Sequence, residues 1–120
     1  MRTDLSLVCA PPMARLAFSG ELDLASLAHL RAVLLRVRLR GCDHVEVDAD
    51  GVTFVDAATL RALHQEQRRL RHAGGSLEVV AASPAYLLVS GLAGYDNLEP
   101  VSGRQRRLTL LRGGVSGPDR

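Results

Sequence analysis

The sequence has no lysine and no tryptophan; all fifteen basic residues are arginine, and the aromatics are two Phe and two Tyr. Without lysine the chain cannot form a Schiff base or supply the ammonium group of a P-loop phosphate site. With so few aromatics its core has to be aliphatic, built from Leu, Val and Ala, which make up most of the 47% apolar residues. Cysteine is also scarce. Cys9 and Cys42 are too few for a zinc site without histidine, and they read as buried free thiols in a reducing compartment. No apolar run approaches the about 20 residues of a membrane span, and the N-terminus lacks the charged-then-apolar pattern of a secretory signal. These absences lead to the expectation of a cytoplasmic protein without membrane insertion.

Catalytic constellations are missing too. His29, His44, His64 and His72 do not cluster, and His64 and His72 stand two helical turns apart, too far to share one metal ion. No serine pairs with a histidine in a pattern that suggests a nucleophile and its base. The expectation is a non-enzyme with no cofactor and no metal. Asp48 and Asp50, after a hydrophobic strand, resemble the two-carboxylate magnesium motif of haloacid dehalogenase-like phosphatases. They come after two strands and a helix, however, where that motif opens its domain, and too little chain follows for the remaining motifs.

What is present is one domain's worth of patterned sequence. A chain of 120 residues buries roughly 65% of its unfolded surface on folding. Charge is uneven: residues 1–101 carry ten Arg against twelve acids, whereas residues 102–120 carry five Arg against Asp119 alone. The expected organisation is a folded domain over 1–101 and a basic, flexible tail over 102–120. The tail has no interleaved aromatics, so specific nucleic-acid binding is not expected. Residues 108–111 are the part of it that would suit an edge strand or folding on a partner.

Leu5, Leu7 and Cys9 alternate and predict a first strand; Pro11 and Pro12 make a turn, and residues 14–18 predict a second strand. Residues 19–23 read as a loop. Leu24, Leu27, Leu30, Leu34 and Val37 then recur at steps of three and four and predict a helix burying that stripe, with Gly41 ending it. Val45, Val47 and Ala49 alternate with Glu46, Asp48 and Asp50, the period of a strand covered on one face. A short loop leads to Asp56, which stands where a helix N-cap belongs and is expected to accept from the N–H groups of Ala58 and Thr59. That helix runs to about residue 73 and closes at Gly74 and Gly75. Residues 77–82 predict a strand, and Ser83 followed by Pro84 is a strong helix start. The last helix ends near Gly91 or Gly94, and residues 98–101 are expected to add an edge strand.

The segment over residues 45–60 resembles the signature of the STAS domain family, which includes bacterial anti-sigma factor antagonists. Asp48 matches the family's strand-end Asp; Phe54, Val55 and Asp56 match the helix entry, and Leu60 the leucine that follows. Gly20 to Asp23, the turn at Gly74 to Leu77, and Gly91 with Leu92 fall where the family has corresponding elements, so the resemblance covers about residues 5–101. It implies an α/β fold: a single STAS-like domain, a mixed β-sheet of four to five strands packed with three main helices, in the order β-β-α-β-α-β-α(-β).

The same resemblance implies a partner-binding knob at Asp56, Ala57, Ala58 and Thr59, with Asp23 flanking it. It also implies an anti-sigma factor of GHKL-type kinase fold as the partner. The place of the family's phosphorylated serine is held by Ala57, so the acceptor hydroxyl is absent. Thr59 is the nearest hydroxyl and a weak substitute, pointing about 200° around the helix from position 57. The expectation is a non-catalytic antagonist, monomer or weak dimer, that serine phosphorylation cannot switch off. A STAS-like accessory subunit of an ABC-type transporter or lipid-trafficking complex is the alternative, since it also needs no phosphoserine.

Overall fold

In the computed structural model, which describes residues 3–100, strands β1 (Asp4–Ala10) and β2 (Met13–Leu22) form an antiparallel hairpin about Pro11 and Pro12. β2 then pairs in parallel with β3 (His44–Val55), and β3 in parallel with β4 (Ser76–Ala82), giving one sheet in the order β1-β2-β3-β4. Helix α1 (Leu24–Leu39) connects β2 to β3, α2 (Ala57–His72) connects β3 to β4, and α3 (Pro84–Ala93) follows β4. The expected order of two strands followed by alternating helix and strand is therefore present. Two parallel crossovers that step in the same direction along the sheet place their helices on the same face.

Burial follows that layering. Leu16 and Phe18 of β2, Val45, Val47 and Ala49 of β3, and Leu77 and Val79 of β4 are all buried against the helices. Their neighbours face outward, and on that open face Arg15 of β2 reaches Glu46 at 3.2 Å and Asp48 at 3.5 Å. The core is aliphatic apart from Phe18 and Tyr86. Each fully buried Leu, among them Leu16, Leu22, Leu60 and Leu63, is worth about 1.5–3 kcal/mol of transfer free energy.

The structure departs from the sequence expectation at three places. Residues 19–22 and 51–55, read as loops, extend β2 and β3 and pair with each other: Gly20 opposite Val52, Glu21 opposite Phe54, Leu22 opposite Val55. A Cβ on Gly51 would lie 2.8 Å from the Ser19 Cβ, so this glycine serves close strand approach. In α1 the buried stripe is Leu30, Val33, Leu34 and Val37, while Leu24, in the first turn just past the end of β2, is 72% exposed. The edge strand expected from residue 98 is replaced by a 3-10 helix, Asp96–Leu98. Its carbonyls are claimed by side chains of the helices: Gln67 Nε2 donates to the Asn97 oxygen at 2.9 Å, and the Tyr86 hydroxyl to the Leu98 oxygen at 2.8 Å. The sheet thus has four strands among the described residues, and the tail with its 108–111 segment lies outside them.

Tyr86 is fully buried. Burial above all, and then the charge of Glu99, push its phenol well above the usual range, so it acts as a neutral donor. Tyr86→Phe leaves the Leu98 carbonyl without this donor and is expected to cost about 1 kcal/mol. The readout is a lower urea midpoint at unchanged denaturant slope.

Candidate protein-binding site

β2 and β3 end side by side, and each runs directly into a helix. Leu22 stands opposite Val55 in the parallel register, and Asp23 and Asp56 follow them as the N-caps of α1 and α2. The Asp56 N–H donates to the Leu22 carbonyl at 3.0 Å, which ties the second cap to the end of the first strand. Two helix N-termini therefore lie next to each other at the carboxyl edge of a parallel strand pair, the edge where open α/β sheets place their ligands.

Each cap is made differently. Asp23 Oδ1 accepts from the N–H groups of Ala25 at 3.0 Å and Ser26 at 3.3 Å, while the Asp23 N–H donates back to Ser26 Oγ at 3.0 Å. This is a reciprocal capping box with Ser in the place usually held by Glu or Gln. Asp56 Oδ1 accepts from the Thr59 N–H at 2.9 Å and from the Thr59 hydroxyl at 2.8 Å. The bond expected from the Ala58 N–H is not formed; the Thr59 hydroxyl takes that acceptor capacity. Both carboxylates lie at the positive end of a helix dipole, where an anion is stabilised.

The five residues picked out in the sequence come together, with unequal access. Ala57 is exposed, Asp23, Asp56 and Ala58 are half-buried, and Thr59 is 1% exposed. The Thr59 hydroxyl points inward, toward Asp56 and the Leu22 carbonyl 3.4 Å away. It reads as a structural link between the α2 cap and the end of β2.

Two apolar side chains at this edge escaped the sequence reading. Leu24 follows Asp23 directly, and Phe54, two residues before Asp56, is 47% exposed. Leu24 fitted the helical stripe, so periodicity alone hid its exposure. Phe54 gave no signal either, since period-2 alternation would put it on the face of the buried Val52. Leu24, Phe54 and Ala57 are thus exposed apolar residues within two positions of the two capping carboxylates. Asp48 and Asp50 do not join them. They lie within β3, where Asp48 Oδ1 accepts from the Asp50 N–H at 3.0 Å and its other oxygen faces Arg15. No helix among the described residues is long and apolar enough to cross a membrane.

Comparison with known proteins places this geometry in context. A family model described as "Mlab, STAS domain" matches residues 10–100. No curated protein matches the sequence. Among solved structures, an anti-sigma factor antagonist from Mycobacterium paratuberculosis is similar at 22% identity and TM-score 0.71, covering 92% of this chain and 95% of that one. The anti-sigma factor antagonist SpoIIAA in its unphosphorylated form is similar at 16% identity and TM-score 0.71, covering 94% of this chain and 100% of that one. At these identities the likeness is one of fold.

Proposed function

The chain belongs to the STAS domain family, and from that premise we propose that it is a non-catalytic, cytoplasmic protein-binding module acting as an anti-sigma factor antagonist. Its partner in this reading is an anti-sigma factor of GHKL-type kinase fold, whose capture frees a sigma factor. The observation that carries the reading is the exposed Ala57 directly after the Asp56 cap, at the edge where the Asp23 cap also lies. A helix N-terminus faced with a methyl group lets a partner approach the backbone closely, and Leu24 and Phe54 add apolar contact area beside it. Folded neighbours described as anti-sigma factor antagonists support the partner class.

Regulation follows from the same residue. A phosphate carries about −1.5 to −2 charge, and beside Asp56 it would repel an interface built around that carboxylate. Ala57 has no hydroxyl to accept it and the Thr59 hydroxyl is enclosed, so the module stays competent for capture. The test uses the kinase-fold partner recovered from the native host by pull-down. Incubated with it and ATP, the wild-type chain is expected to keep its mass, and Ala57→Ser to gain one phosphate on the introduced serine. A phosphate mapped to residues 56–60 of the wild-type chain would overturn this reading.

The missing acceptor also suits a permanent brace, so the accessory subunit of an ABC-type transporter or lipid-trafficking complex is the second reading. Recovery of an ATPase transporter subunit in the pull-down, in place of a kinase-fold protein, favours it.

A further inference from the structure

The two cysteines, distant in sequence, meet behind the same end of β2. Cys9 stands opposite Ala14 across the hairpin. Cys42, in the connection from α1 to β3, donates its thiol to the Met13 carbonyl at 3.3 Å. Met13 and Ala14 are consecutive, and both sulfurs lie on the helix side of the sheet. Cys42 is part of the core and Cys9 packs against it from the edge strand. Burial foremost, and then the neighbouring Cys9 thiol, push the Cys42 thiol up.

Access to the pair is one-sided. Cys42 is 2% exposed, whereas Cys9 is half-buried and lines a cavity of about 200 Å³ between β1 and α1. Leu5, Leu7 and Val33 also line that cavity, along with the exposed Arg36 and Arg40. One water occupies about 30 Å³ of liquid volume, so a hydroperoxide of two oxygens fits with room to align. None of these residues belongs to the edge where the helix caps lie.

We propose that Cys9 and Cys42 form an oxidation site for small hydroperoxides, at which the two thiols close to an intramolecular disulfide. Cys9, as thiolate, attacks one peroxide oxygen and the O–O bond breaks. The departing hydroxide takes up the proton the thiol released and leaves as water, with Cys9 now a sulfenic acid. Cys42 then attacks the Cys9 sulfur; the S–S bond forms, the S–O bond breaks, and the Cys42 proton leaves with the hydroxide as a second water. Two thiols lose two electrons in all, and hydrogen peroxide accepts both. The product fastens edge strand β1 to the segment between α1 and β3, and a dithiol reductant reverses it.

Hydrogen peroxide added to the reduced full chain tests this. Non-reducing mass spectrometry should show the loss of two hydrogen atoms, a peptide linking Cys9 to Cys42, and full reversal by dithiothreitol. In Cys42→Ala the linked product disappears and a dimedone adduct accumulates on Cys9. In Cys9→Ala, Cys42 should react with an alkylating reagent on the order of tenfold more slowly than Cys9 does in Cys42→Ala. The wild-type experiment decides alone if either variant folds poorly. An unchanged mass, oxygen added to Cys9 without a link, or a disulfide between two chains would each overturn the site.

Discussion

Ala57→Glu is expected to weaken capture of the anti-sigma factor on the order of 100-fold, about 2.7 kcal/mol, while leaving the melting temperature nearly unchanged. Ala57 is exposed at the first position of α2, directly after the cap. A glutamate there clashes with no buried group and meets the positive end of the helix dipole, so the fold tolerates it within about 0.5 kcal/mol. The partner meets something different. A longer side chain replaces the methyl, and a second negative charge joins Asp56 in the proposed contact; like-charge juxtaposition at an interface costs several kcal/mol. Titration calorimetry against the recovered partner reads the loss, and thermal unfolding of the free chain shows that it is a loss of binding. Equal affinity for the two chains would remove Ala57 from the interface.

Gly75→Ala is expected to destabilise the domain by about 3 kcal/mol, at the upper end of ordinary overpacking. A Cβ at Gly75 would lie 1.9 Å from the Asp43 carbonyl oxygen, a backbone atom that cannot swing aside. That oxygen also accepts from the Ser76 N–H at 2.9 Å, and the Gly75 N–H donates to the Leu70 carbonyl at 2.7 Å. Relieving the clash therefore pulls apart either the start of the β3–β4 pairing or the last turn of α2. Gly74→Ala is the contrast. Its strain comes from a φ of +87°, with nothing within 4 Å of the added methyl, and it should cost roughly 1 kcal/mol. Urea unfolding of the two variants side by side checks the ordering; Gly75→Ala as stable as Gly74→Ala would show that the two strands separate freely at this point.

Much of this protein is legible along the chain because its signals are local. Alternation over Val45, Val47 and Ala49 marks the core face of β3, and Ser83 before Pro84 marks the start of α3, whose cap bond to the Tyr86 N–H is 3.1 Å. Asp56 announces α2 the same way. The residues of the candidate site were likewise readable as a motif, since a capped helix following a strand is a contiguous stretch of sequence.

What stayed hidden depends on partners that sequence spacing cannot reveal. The stretch from Gly51 to Thr53 reads as loop along the chain. It becomes strand because the end of β2 lies alongside and takes its backbone hydrogen bonds. Leu24 fits a buried stripe by period, and is exposed because α1 begins where β2 stops. Residue 98 has the apolar neighbourhood of an edge strand, yet Tyr86 and Gln67 hold the carbonyls there in a 3-10 turn.

By itself, then, the sequence determined the four strands and three main helices, their order and the caps Asp56 and Ser83, all of which are set by neighbours within a few residues. Only the tertiary structure decided that two caps share one edge, that Thr59 is turned inward, and that Cys9 and Cys42 lie at the same end of β2. Those facts follow from strand register and helix packing, which bring together atoms far apart along the chain.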